Sequence, residues 1–284
     1  MVRTVVVTGV SSGIGEAIAR DLAANGFKVF GSVRKAEDAK ALERDLGEAF
    51  KPLIFDIVDQ ISIADAAALV RNGLNGAPLY GLINNAGAGG GGPLMHQDPA
   101  ELIACLENLA VGPIMVTQAF LPLLGAQRGF QQPPGRIVNV SSVGGRIGFP
   151  FLGSYVAGKH ALEGLSDCLR RELRIYGIDV VVVEPGATRT KIWDKAEASE
   201  DNRYANTDYG ATYAAFIKFF SAEGRRGYEP ARVASRVRHA LTTPRPRSRY
   251  VVTPQHVLNW SVPRILPDRA LDALFAARLG LRRL

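Results

Sequence analysis

The opening stretch of the chain constrains its fold more than any other. Thr4 to Thr8 is a short β-branched run, the pattern of a buried strand. Gly9, Gly13 and Gly15 come next in the string TGVSSGIG, and a helical pattern from Glu16 to Ala24 completes the unit. Strand, glycine turn and helix form the context in which a loop lays a pyrophosphate on a helix N-terminus. Glycines let the backbone approach the phosphates closely. The spacing is GxxxGxG rather than the GxGxxG of the common dinucleotide fingerprint, so the motif has to be weighed together with the rest of the chain.

Beyond Ala24 the alternation of strand and helix repeats. Lys28–Val33, Leu53–Ile57, Leu79–Ile83, Gly135–Ser141, Val180–Val183 and Tyr250–Thr253 read as strands. Long helical patterns cover Pro99–Leu124 and Ser154–Tyr176, the second with an apolar stripe at Leu162, Leu165, Leu169 and Leu173. This alternation predicts an α/β fold, a doubly wound Rossmann-type parallel sheet of about seven strands with helices on both faces. At 284 residues the chain is long enough for one large α/β domain and short for two, so residues 1–284 read as a single domain. Two segments read as irregular, Thr190–Tyr228 and the tail 254–284. A glycine-rich loop, Gly87 to Gly92, comes after the fourth strand, and its length suggests mobility near a site rather than packing.

Composition excludes several classes. A hydrophobic fraction of 47% with 21% charged residues is that of a globular protein, not a disordered one. No apolar run in the sequence reaches the roughly 20 residues of a membrane helix. The start, MVRTVVVTG, runs straight into a strand without the pattern of a signal peptide, so a cytoplasmic location is expected. Cys105 and Cys168 fall in helical patterns outside any CxxC or metal-type cluster; they read as reduced thiols, and no metal is expected. The formal charge is +7, with arginines concentrated late, Arg245, Arg247, Arg249, Arg282 and Arg283 among them. No nucleic-acid motif accompanies them. They read as a solvated surface that also attracts phosphorylated ligands.

The chemistry concentrates between Ser141 and Lys159. Tyr155 stands thirteen residues after Ser142, and Lys159 four residues later. On a helix, Tyr155 and Lys159 lie one turn apart on one face. A phenol has an ordinary pKa of about 10, and a nearby ammonium favours its phenolate. A serine hydroxyl could hold a carbonyl or alcohol oxygen while the phenol exchanges its proton. With a hydride carrier, these parts interconvert an alcohol and a ketone. The second strand ends at Val33-Arg34 with no carboxylate until Glu37, which suits a 2′-phosphate better than a bare ribose.

Taken in order, TGVSSGIG (Thr8–Gly15), NNAG (Asn84–Gly87), Asn108, Ser142, YVAGK (Tyr155–Lys159) and PGATRT (Pro185–Thr190) resemble the short-chain dehydrogenase/reductase family, single-domain branch, over residues 1 to about 190. The stretch from Ser141 through YVAGKHALEGLSD is similar to the branch with 17β-hydroxysteroid and retinol dehydrogenases. The resemblance implies that Tyr155 is the general acid/base and that Ser142, rather than Ser141, binds the substrate oxygen. Lys159 would lower the tyrosine pKa and hold the nicotinamide ribose. Asn108 would position a water in the proton relay. Gly9, Ser11, Ser12, Gly13, Ile14 and Gly15 would line the pyrophosphate and adenosine ribose, and Asp56 and Ile57 would border the adenine. Asn85, Ala86 and Gly87 would flank the adenosine side, and Pro185, Gly186, Thr188 and Thr190 the nicotinamide and phosphates. Ser12 stands where members that prefer NADP often carry a basic residue, so 2′-phosphate recognition would fall to Arg34. The expected protein is an NADP(H)-dependent oxidoreductase of a hydrophobic secondary alcohol or ketone, with NAD(H) use by an alcohol dehydrogenase of the same family as the alternative. The segment 190–228, rich in aromatic residues, reads as a substrate lid. The two long helices suggest a homodimer or homotetramer.

Overall fold

The computed structural model of the chain describes residues 2–87, 89–194 and 202–281. Part of the expected lid (195–201) and the tail arginines Arg282 and Arg283 lie outside the described residues. A seven-stranded, all-parallel sheet runs through the molecule in the order β3-β2-β1-β4-β5-β6-β7. The strands are β1 (Arg3–Val7), β2 (Phe27–Val33), β3 (Phe50–Ile54), β4 (Gly81–Asn84), β5 (Arg136–Val140), β6 (Asp179–Pro185) and β7 (Arg249–Val252). Side chains alternate between two cores. Val5 and Val7 of β1 point to one face and Val6 to the other, which is why the strands read as unbroken β-branched runs.

Helices α1 (Gly13–Ala24) and α2 (Lys40–Leu46) connect the first three strands, and α3 (Gln60–Leu74) leads to β4. The side chain of Asp59 caps α3 by accepting from the Ile61 amide at 3.1 Å. Then come α4 (Pro99–Leu106), α5 (Gly112–Phe120), α6 (Gly153–Glu172), α7 (Gly210–Arg225) and α8 (Pro230–Thr242), with α9 (Val262–Ile265) and α10 (Asp268–Leu279) in the tail. Ile18 and Leu22 of α1 and Val233 and Val237 of α8 fill one core. Ile63 and Val70 of α3, with Val116 and Phe120 of α5, fill the other.

Four sequence readings need correction. The third strand covers Phe50–Ile54 rather than Leu53–Ile57. It pairs with β2 alone, so as an edge strand it tolerates Pro52, and Asp56 already turns the chain by accepting from the Val58 amide at 3.2 Å. Pro99–Leu124 is no continuous α-helix. A π turn, Glu107–Val111, separates α4 from α5, and Leu121–Leu124 is 3-10. Pro113 has no amide to give to the carbonyl four residues back, so the helix widens there. By length and composition this stretch could cross a membrane, contrary to the expectation from the sequence. In the fold its Val116, Phe120 and Leu124 are buried in the second core. Finally, neither irregular segment is structureless. Residues 190–228 contain α7, and the tail contains a π turn, Val257–Ser261, followed by α9 and α10.

The chain leaves β1 at Thr8 and β4 at Asn84, which lie side by side where the strand order reverses. That reversal opens a crevice at the carboxyl ends of the strands. A buried polar chain braces it. Asn84 Nδ2 donates to Thr117 Oγ1 and to Asn139 Oδ1, both at 2.9 Å, and Asn139 Nδ2 donates to Ser166 Oγ at 2.8 Å.

Candidate active site

The glycine turn after β1 is shaped for close contact. Gly9 has φ +71°, and a Cβ there would meet the Ala86 Cα at 2.8 Å; a Cβ on Gly15 would collide with the Gly9 carbonyl oxygen. The turn is tied to NNAG by side chains. Thr8 Oγ1 accepts from the Asn85 and Ala86 amides at 2.9 Å each, and Asn85 Nδ2 donates to the Thr8 and Gly9 carbonyls. The Gly9 amide donates to Ser32 Oγ at 3.0 Å. Helix α1 begins at Gly13 with no side-chain cap, and Ser11 and Ser12 are exposed. Uncapped amides at Gly13, Ile14 and Gly15, with the positive end of the helix dipole behind them, are what a pyrophosphate binds. The residues therefore fit a dinucleotide.

The other expected cofactor residues gather around this turn. Thr190 packs across from Gly13, where an added Cβ would meet its methyl at 3.2 Å. Thr188 is buried and donates to the Gly186 carbonyl at 3.0 Å, while the Gly186 amide bonds Val252 O. Pro185 ends β6. Asp56 is half-buried in the turn after the third strand. Ile57 is buried beneath α5, its carbonyl facing Gly112, so its side chain serves the core. Arg34 is exposed at the end of β2 and makes no hydrogen bond or ion pair among the described residues.

The acid–base group assembles at the end of β5. The turn after Ser142 closes on that residue, whose Oγ accepts from the Gly144 amide at 3.0 Å; its hydroxyl is also close enough to the Tyr155 phenol to draw the phenol's pKa down. A Cβ on Gly144 would lie 3.3 Å from the tyrosine ring and 3.4 Å from Ser142 Oγ, so both converge on this glycine. Helix α6 carries Tyr155 and Lys159 one turn apart. Lys159 Nζ donates to the Val140 carbonyl at 2.9 Å. Burial pushes the Tyr155 phenol above its ordinary value, and the Ser142 hydroxyl pulls it back only in part. Burial also lowers Lys159 to about 8, against the carboxylate of Glu163. The sequence leads us to expect a phenol below its ordinary value; burial, the largest influence on it here, places it above. Asn108 lies in the π turn, its Nδ2 donating to the Ala104 carbonyl at 2.9 Å. Ser141 is buried with its Oγ unpartnered.

Two features of the roof were missed in the sequence. In the loop after Gly87, the described Gly89, Gly91 and Gly92 make close contacts. Cβ atoms on Gly89 and Gly91 would strike the Tyr155 ring at 2.5 Å and the Phe151 carbonyl at 2.6 Å. The Gly92 amide bonds Phe151 O at 2.7 Å, and Ser154 Oγ donates to Gly90 O. Gly89 lies directly on the ring of the catalytic tyrosine candidate, and Gly92 on the Tyr204 ring. Above it, Phe151 is edge-on to Tyr209 and Tyr213 and tilted against Phe216, which stacks on Phe220. Trp193 donates to Thr188 O at 2.7 Å and meets Phe220 edge-on. The tail joins this roof through Phe275 on Phe149 and Arg278 over Phe219.

Comparison with known proteins agrees with this geometry. Residues 3–201 match the family model described as short chain dehydrogenase. The chain is 40% identical over 273 residues, 96% of each chain, to an NADPH-dependent 3-dehydrocapnine reductase of Ornithobacterium rhinotracheale. It is 31% identical to retinol dehydrogenase 16 of Rattus norvegicus, over 95% of this chain and 87% of that one. Among solved structures, a short-chain dehydrogenase from Streptomyces avermitilis superposes with a TM-score of 0.75 at 29% identity, over 99% of this chain and 96% of the other.

Proposed function

The chain belongs to the short-chain dehydrogenase family of oxidoreductases, and on that premise we propose that it reduces a hydrophobic ketone to its secondary alcohol with NADPH. The observation that carries this reading is the convergence of Ser142 and Tyr155 on Gly144, at the carboxyl ends of the strands and beside the uncapped N-terminus of α1. When bound, the nicotinamide supplies the hydride. The Gly144 amide occupies a lone pair of Ser142 Oγ, leaving the hydroxyl proton to donate to the substrate carbonyl. Tyr155 gives its proton to the oxygen as negative charge develops there. A buried phenol is protonated at neutral pH and so can serve as the acid of the reduction. Lys159 stabilises the phenolate left behind and offers an ammonium to the ribose hydroxyls. NADPH is favoured by the similar reductase and by the exposed, unpaired Arg34. Screening hydrophobic ketones with NADPH and NADH tests this reading; no turnover of any ketone with either cofactor sinks it.

The roof supports a bulky apolar substrate, and residues 190–228 are read as its lid. Tyr209 and Tyr213 reach Phe151, which leads directly into α6. Each such ring pair is worth roughly 0.5–1.5 kcal/mol beyond its buried area. A Tyr209→Ala, Tyr213→Ala double variant should raise KM for a bulky ketone about tenfold while leaving the Kd for NADPH unchanged. An equal loss of both would mean that the rings only cover the core.

We also read the protein as a homodimer or homotetramer. Ile103 and Val111, on α4 and the π turn, are exposed, and Leu165 lies at the surface of the adjoining α6. Apolar positions left outward on two packed helices fit a symmetric helix–helix interface. Light scattering at micromolar protein should return a multiple of the 30.5 kDa chain mass; a stable monomer contradicts this. Cys105 is buried and Cys168 exposed, and both are free.

A further inference from the structure

Further along the face of α6 that carries Tyr155 and Lys159 lies a buried acidic compartment whose carboxylates the reaction described above does not use. Tyr155, Lys159, Glu163 and Asp167 recur at four-residue intervals on α6, so they form one stripe. Glu163 is 3% exposed and Glu184, on β6, is 0% exposed. The principal cation between them is Arg249 of β7. Its Nε donates to Glu163 Oε2 at 2.9 Å and lies 3.6 Å from Glu184 Oε1, and its Nη2 donates to Asp167 Oδ1 at 2.8 Å. Asp167 is also paired with Arg170. Arg146, exposed in the turn after β5, acts on Glu184 from a further side.

Three carboxyl oxygens in this compartment, Glu163 Oε1 and both of Glu184, have no hydrogen-bond donor. Two carboxylates only accept, so they cannot bond each other. A proton between them supplies the missing donor and removes the repulsion of two buried like charges. The compartment is continuous with the reacting residues. A Cβ on Gly145 would touch Ser141 Oγ at 2.7 Å, Glu163 Cγ at 3.0 Å and the Lys159 carbonyl at 3.2 Å. We infer that Glu163 and Glu184 form a carboxyl pair sharing one proton, and that the single negative charge of this pair is a positioning element that keeps Lys159 an ammonium. The role given to Lys159 rests on the reduction read above; the shared proton does not.

The electrostatics run in the same direction. Burial first, then the Glu163 charge, raises Glu184 to about 8, against the pull of Arg249 and Arg146. The Glu163 charge opposes the desolvation that lowers Lys159. Lys159 works as the ammonium, so its contribution is lost as pH rises through its pKa. Removing the Glu163 charge must bring that loss to lower pH.

The test uses the full chain in three measurements. The infrared spectrum near neutral pH should contain a protonated carboxylic acid C=O band that fades as pH rises through about 8 and is missing from Glu184→Gln. NMR of protein labelled at lysine Cε, with Lys159 assigned by Lys159→Arg, should place its titration roughly one pH unit lower in Glu163→Gln than in wild type. The alkaline limb of kcat for NADPH-dependent reduction of 2-decanone should move by the same amount. A spectrum without the acid band, or an unmoved Lys159 midpoint in Glu163→Gln, overturns the inference, even if the variant melts earlier. If Glu163→Gln does not fold, the wild-type band and its loss in Glu184→Gln decide. If wild type reduces no ketone, the reading of the reaction fails, while the infrared band still decides the carboxyl pair.

Discussion

Tyr155→Phe should fold as wild type does and lose nearly all turnover. The substitution removes one oxygen and leaves the ring, and the ring is what Gly89 and Gly144 pack against. No core contact is lost, and thermal stability should stay within about 1 kcal/mol, the scale of a single net hydrogen bond. The lost atom is the one that would pass its proton to the substrate oxygen. A positioned acid typically contributes about 10²–10⁴-fold to rate, so kcat should fall by that factor. A dinucleotide is expected to lie mainly against the turn after β1, so the Kd for NADPH should be unchanged. Steady-state kinetics beside a fluorescence titration of NADPH separates the two. A variant keeping more than half of wild-type kcat would remove Tyr155 from the chemistry, and equal losses of kcat and cofactor affinity would make it a binding residue.

How much the sequence disclosed depends on how local the physics is. The strand, glycine turn and helix over Thr4–Ala24 could be read because each part is set by its immediate neighbours, and all fall within a residue or a few of the observed bounds. The pairing of Tyr155 with Lys159 was readable because four residues on a helix make one turn. The close approach of Gly89 to Tyr155, more than sixty residues away in the chain, was not readable, because glycine content alone does not distinguish mobility from close approach. The direction of the Tyr155 shift was missed for a similar cause, since spacing reveals a charge and not the depth of burial around it. Helix α7 was hidden by attention to aromatic content. Tyr209, Tyr213, Phe216 and Phe220 recur at intervals of four, three and four, a helical period that the sequence does contain. The compartment of Glu163, Glu184 and Arg249 had no such trace. Its ion pair spans 86 residues, and no local pattern announces a contact of that kind.

Arg34→Ala should erase most of the preference for NADPH. Arg34 comes directly after the last residue of β2, one strand from the glycine turn, where the adenosine ribose of a dinucleotide in this crevice lies. Its guanidinium is exposed and unpaired among the described residues, so it is available to grip a phosphate through two parallel hydrogen bonds. The nearest acidic side chains along the chain, Glu37 and Asp38, sit in the next 3-10 turn, leaving the strand end itself without a carboxylate to repel the 2′-phosphate. Hydrogen bonds to a charged group are worth about 1.5–3 kcal/mol. At about 1.4 kcal/mol per decade, wild type should favour NADPH by roughly ten- to a hundredfold in kcat/KM. To reverse the preference, the carboxylate belongs at position 34 and not at 33. Val33 is 3% exposed in the core beside α1, and an aspartate there would bury an unpaired charge. Arg34→Asp, exposed, repels the phosphate and can accept from both ribose hydroxyls. The check is kcat/KM for both cofactors in wild type, Arg34→Ala and Arg34→Asp, at one ionic strength because exposed charges are screened. Equal use of NADH and NADPH by wild type would mean that Arg34 stays in solvent and that the alternative NAD(H) reading holds.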